Sequence, residues 1–145
     1  MVFYSTGMRN AVMGTTGYQG ALTGGKLQIF AGTLPENADK AIGAATLLVE
    51  VTDNAAGGGL NFNAPEGGVL SKATDQIWAG DPIVGGMATF WRFVTMADDG
   101  SESTTAVRCQ GTCGTANADM IIDPLIAQGT QFLLNYFSMA MPLTR

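Results

Sequence analysis

The stretch Ala88-Thr89-Phe90-Trp91-Arg92-Phe93-Val94-Thr95 decides the fold. Phe90, Arg92 and Val94 fall on one face of an extended chain, and Trp91 and Phe93 on the other. Aromatic and β-branched residues favour strands. The spacing predicts a half-buried strand with Trp91 packed among rings in the core. It sets Arg92 on the opposite, exposed face, as a candidate interface residue.

Working outward, Leu27-Gln28-Ile29-Phe30-Ala31 alternates in the same way, and Leu47-Leu48-Val49-Glu50-Val51-Thr52 is rich in β-branched residues. Gln76–Ala79 and Thr105–Cys109 read as further short strands. Gln131 to Pro142 reads as a long closing strand, central in its sheet, with Met139 and Met141 facing the core. Between them lie turn signals: Gly32–Asp39, with one helical turn over Ala38–Ala41, then Asp53–Gly59, Gly80-Asp81-Pro82, Asp98–Ser101 and Gly111–Thr115. The first 25 residues differ. Ser5 or Thr6 is placed to cap a short helix over Met8–Met13, stopped by Gly14, and a second turn covers Tyr18–Leu22, stopped by Gly24-Gly25. About eight short strands without intervening helices predict an all-β protein, an antiparallel β-sandwich, with a jelly roll preferred on strand count. The expected organisation is an N-terminal arm, residues 1–25, packed on a β-sandwich domain, residues 26–145.

Composition narrows the function classes. The 145 residues carry 7 Lys+Arg against 12 Asp+Glu, a net charge of −5. Nucleic acid and anionic membranes require clustered Lys and Arg, so neither is an expected partner. The chain contains no histidine. That removes the Ser-His-Asp triad, the Cys-His pair and His-ligated metals. No phosphate-loop motif occurs. The expectation is a protein that is not an enzyme, with no catalytic, metal or cofactor residues. No basic segment followed by an apolar run opens the chain, so a secretory leader is not expected. No apolar stretch is long enough to cross a membrane as a helix.

Individual residues carry competing readings. Cys109 and Cys113, separated by Gln-Gly-Thr, suit either two free thiols near a strand end or a tight bridged loop. Asp98, Asp99 and Glu102 have the oxygen chemistry of a calcium site, but lack its loop spacing and read as a solvated turn. Trp78, between Gln76 and the Gly80–Pro82 turn, is the candidate exposed aromatic, a platform for a sugar ring. Met1, Phe3 and Tyr4 are apolar residues at a chain end. With Arg92 they form the candidate docking or self-association surface.

Ser5-Thr6-Gly7-Met8-Arg9-Asn10-Ala11 with Gly14, Gly24–Pro35, Asn37–Ala41, Thr46–Val51, Leu60-Asn61-Phe62, Gly68–Lys72, Ala88–Phe93 with Asp98-Asp99-Gly100, Gly114–Met120 and Met139–Pro142 carry a resemblance. Together they resemble a group of small proteins found with the virion genes of tailed bacteriophages. The likeness is diffuse, spans nearly the whole chain and has no catalytic motif. It departs at Met120–Pro124, more apolar here, and at the two cysteines. The resemblance implies a structural virion component. The expected role is a cement, or decoration, protein that bridges major capsid protein subunits on the outer capsid surface. Such a protein would assemble in the bacterial host cytoplasm, as a dimer or trimer. The alternatives are a tail, neck or baseplate protein, or a carbohydrate-binding module of the virion.

Overall fold

The computed structural model describes residues 1–141. Twelve short strands and two short helices follow in the order β1 (Phe3–Tyr4), α1 (Thr6–Met13), α2 (Gly17–Leu22), β2 (Lys26–Ala31), β3 (Thr46–Asp53), β4 (Val69–Ser71), β5 (Trp78–Gly80), β6 (Gly86–Met87), β7 (Phe90–Val94), β8 (Arg108–Gly114), β9 (Met120–Ile121), β10 (Leu125–Ile126), β11 (Phe132–Leu134) and β12 (Ser138–Ala140). One large antiparallel sheet runs β1-β8-β7-β2-β3-β5-β11, with β9 added parallel to β8. Two ribbons, β6/β10 and β4/β12, stand apart from it.

The alternation around Trp91 explains the centre of this sheet. Leu27 pairs with Phe93 and Ile29 with Trp91 across β2 and β7, while Val51 and Val49 continue the rows on β3. These side chains form one fully buried face. Met8 of α1, Leu22 of α2, Leu60, Phe62, Leu70 of β4 and Phe137 complete the core over it. The expected ring cluster is present: Phe62 meets Trp78 edge-on at 5.4 Å, and Trp91 meets Phe137 edge-on at 5.9 Å. Each such side chain contributes about 1.5–3 kcal/mol by burial.

The second face carries a row of polar side chains directly opposed across four strands: Glu50, Gln28, Arg92 and Gln110. Beside it Phe30 and Phe90 stack at 4.9 Å. Arg92 and Gln110 are closed off from solvent, while Gln28 and Glu50 stay partly exposed. Arg92 is 0% exposed, which overturns its expected surface position. The loops around residues 32–45 and 95–107 cover the guanidinium, and the Lys40 carbonyl accepts its Nη1–H at 3.0 Å.

Local signals place the helices. Ser5 Oγ accepts the Met8 N–H at 3.0 Å, and the Gly14 N–H closes α1 on the Asn10 carbonyl. Gly24 follows α2 at φ 82°, a conformation open to glycine and costly to other residues.

Several strand boundaries differ from expectation. The strand expected over Thr105–Cys109 begins at Arg108 and runs to Gly114, through the expected turn at Gly111. Gly111 serves there because the Asp119 carboxylate occupies the space a Cβ would need, 2.9 Å away. The Gln76–Ala79 strand starts later, at Trp78. Ala38–Ala41 turns without forming helix. The long closing strand is two separate pieces, β11 on an edge and β12 in a ribbon, interrupted at 135–137. Met139 is half-buried and Met141 is exposed, so only the former packs on the core; Pro142, the last residue of that expected strand, lies outside the described residues.

Candidate functional site

The buried polar side chains form two hydrogen-bonded groups, one on Arg92 and one on Arg108. Gln110 Oε1 accepts both Nε–H and Nη2–H of Arg92, at 2.9 and 2.6 Å, and Gln110 Nε2 donates to the Pro35 carbonyl at 2.9 Å. Arg108 forks onto Asp98, Nε to Oδ2 at 2.6 Å and Nη2 to Oδ1 at 2.8 Å, and also donates to the carbonyls of Ser101 and Ala38. Both side chains of this ion pair are 1% exposed. The solvated turn expected at Asp98 is therefore corrected: a carboxylate opposite a buried arginine follows it inward, because an unpaired buried charge is costly. Burial, then the neighbouring Arg108 charge, lowers the Arg92 pKa to about 10, with Asp98 opposing the shift. The two groups tie both covering loops to the sheet. Among the described residues no cluster of three or more His, Cys, Asp or Glu side chains is placed to hold a metal.

Cys109 and Cys113 are free and buried. They stand four residues apart on β8, and a strand advances about 3.4 Å per residue, which separates them beyond disulfide reach. Burial raises Cys109 to about 12 and Cys113 to about 11. Both thiols are therefore protonated and poor nucleophiles at neutral pH.

The sequence-derived surface residues divide. Phe3 and Tyr4 are partly exposed on β1, the end strand of the large sheet, and Met1 is exposed beside them. Tyr18 donates its hydroxyl to Tyr4 at 2.6 Å, and burial followed by this bond raises the Tyr18 pKa. The structure brings these three together but leaves Arg92 inside. Trp78 is also inside, 1% exposed, with Nε1 donating to Gln76 Oε1 at 3.1 Å. Its expected role as an exposed platform is corrected: β5 lies between β3 and β11, and the Trp78 ring turns into the core.

The exposed aromatic is Tyr136, 91% accessible in the break between β11 and β12. Reading residues 131–142 as one strand concealed it. The signal was Asn135, a residue depleted in strands, in the middle of that segment. Tyr136 borders a depression of about 360 Å³ lined by Ile122, Leu125, Phe132 and Leu134, and two smaller ones. One, about 250 Å³, lies between Val2, Ile121 and Met139, with Trp91 among its lining. The other, about 270 Å³, is lined by Asn63, Ser71, Thr74, Asn135 and Ser138.

A second exposed feature is the β6/β10 ribbon. Met87 and Leu125 are directly opposed and are 56% and 64% exposed, and Ile83 and Val84 lie beside them in the chain. Directly opposed apolar side chains facing water make this ribbon an exposed apolar patch.

The chain matches no family model, no curated protein and no solved structure.

Proposed function

We propose that this chain is a non-catalytic structural protein that docks on a larger assembly, as a cement protein bridging major capsid protein subunits on the outside of a bacteriophage head. The observation that carries the reading is the exposed apolar ribbon formed by Met87 and Leu125 with Ile83 and Val84. A docking protein needs an apolar patch on a rigid support. The ribbon lies against β3, where Gly86 approaches the Leu48 side chain so closely that a Cβ would stand 3.0 Å from it. The low charge and the sequence resemblance to phage virion proteins favour the same reading. Binding of this kind stabilises the assembled state by mass action. Self-association into a dimer or trimer and placement on the virion surface belong to the proposal.

The test is the copy number of the chain in purified virions, by mass spectrometry against the shell subunit. A ratio comparable with the shell subunit supports cement. A few copies per particle moves the chain to neck, tail or baseplate. Its absence from virions overturns the reading. Met87→Asp with Leu125→Asp is expected to abolish shell binding and leave the folded sheet intact.

A further inference from the structure

We infer that the surface around Tyr136 is a binding site for a neutral saccharide. Three observations meet there. The Tyr136 ring is 91% exposed, in a chain that buries both its tryptophans. A ring held in water among these depressions offers an apolar face to the C–H face of a pyranose, and its hydroxyl remains at the rim.

The flanking side chains have the complementary chemistry. In one depression the Asn135 amide and the hydroxyls of Ser138 and Thr74 make no side-chain hydrogen bond among the described residues. They are free to pair with sugar hydroxyls, as both donors and acceptors. Asn63 beside them is held in place: its Nδ2 donates to the Lys72 carbonyl at 3.1 Å and its Oδ1 accepts the Thr74 N–H at 3.2 Å. Asn63 is therefore fixed before a ligand arrives, while Thr74, Asn135 and Ser138 are exposed beside it.

The third observation lies on the other side of the ring. Trp91 Nε1 is the single buried side-chain polar atom without a hydrogen-bond partner among the described residues, and Trp91 helps line that depression. Buried indole N–H groups usually find an acceptor. The nitrogen is closed to solvent in the free chain, so a sugar seated between Ile121 and Met139 reaches it only as those side chains shift.

Charge argues for a neutral ligand. Lys72 Nζ, the cation lining the depression beside Asn135, donates to the carbonyls of Ala73 and Gln76 at 3.3 and 2.6 Å. Asp119, which borders the depression lined by Trp91, accepts from the Met1 ammonium and from Thr112. The two depressions that carry Trp91 and Asn63 are each smaller than the roughly 300–1,000 Å³ of a pocket for drug-sized molecules. Two small open depressions joined by an aromatic ridge fit successive single rings of an oligosaccharide.

The experiment is a titration of ¹⁵N-labelled full chain with maltopentaose, cellopentaose, mannotriose and triacetylchitotriose, each to millimolar concentration. The chain has two tryptophans, so the two indole N–H signals are simple to assign. With at least one of these probes the Trp91 signal is expected to move, while the Trp78 signal, already bonded to Gln76, stays. Tyr136→Ala is expected to weaken that binding roughly tenfold, the loss of about 1.4 kcal/mol of ring contact. Tyr136→Phe, which keeps the ring, is expected to retain it. No movement of the Trp91 signal with any of the four probes overturns the proposal. Movement that survives Tyr136→Ala also overturns it. Virion copy number plays no part in either result, so failure here is distinct from failure of the docking role.

Discussion

Ser5 and Arg108 are joined twice across 103 residues: the Ser5 N–H donates to the Arg108 carbonyl at 2.9 Å, and the Arg108 N–H donates to Ser5 Oγ at 2.9 Å. The same hydroxyl accepts the Met8 N–H and donates to the Ala106 carbonyl at 2.7 Å. One buried oxygen thus caps α1, ends the β1/β8 pairing and anchors the segment before β8. Ser5→Ala strands two N–H groups and a carbonyl. A typical cap loss costs about 1 kcal/mol, and each stranded buried group about 1–3 kcal/mol. Chemical denaturation is expected to show a loss of at least about 2 kcal/mol, and a loss below half that would remove Ser5 from this role.

Asp98 answers Arg108 with both oxygens in a dry site. Removing one partner of such a pair leaves a buried uncompensated charge, at about 3–5 kcal/mol. Asp98→Asn is expected to fall in that range. Replacing both residues, Asp98→Leu with Arg108→Met, is expected to restore much of the loss, because it removes the charge as well as the pair. A double variant no more stable than Asp98→Asn would contradict the argument.

Asp39 supplies the acid dependence of α1. Its carboxylate accepts the Thr6 N–H and the Thr6 hydroxyl, each at 2.7 Å. Burial alone would raise its pKa; the Thr6 bonds, with Arg9 and Arg108, outweigh burial and hold it below the usual carboxylate range. The sign follows. A carboxylate lowered in the folded state adds stability above its unfolded pKa, near 3.9, and loses it as pH falls through the folded value. Unfolding free energy measured between pH 5 and pH 2 is expected to fall for the natural chain. The fall should be shallower for Asp39→Asn, which is less stable at pH 5.

The two thiols are expected to be silent in the folded protein. With values near 12 and 11 and both side chains buried, neither Cys109 nor Cys113 should react appreciably with a thiol reagent at pH 7 until the chain unfolds. Labelling rates should therefore track denaturant concentration. Rapid labelling without denaturant would show that β8 opens locally.

What could be read from the sequence was what is local. The Phe90–Val94 alternation and the Leu27–Ala31 alternation needed no partner to be seen, and both strands lie at the centre of the sheet. Ser5 and Gly14 bracket α1 by side-chain and backbone chemistry within one helix. Arg92 was misread because its burial depends on two loops that return from residues 32–45 and 95–107. Nothing in the alternation of β7 tells a solvated second face from a covered one. Trp78 was misplaced for the mirror-image reason: the adjacent Gly and Pro advertise a surface turn, while its strand partners carry the ring inward. Tyr136 was hidden by the hydrophobicity of its neighbours, which resembles a long strand until Asn135 is given its full weight.

The position of β8 between β7 and β1 has a consequence for biosynthesis. On the ribosome, Ser5 and the first strand wait for partners that emerge 103 residues later, about 5–20 s at ordinary elongation rates. Until then α1 lacks its cap acceptor's second anchor and β7 has an open edge. Phe3, Tyr4 and Met8 remain exposed on the nascent chain for the same interval. Pairings this distant form slowly and leave hydrophobic strands unprotected. The same closure that locks the N-terminus into the finished sheet therefore waits for the synthesis of β8.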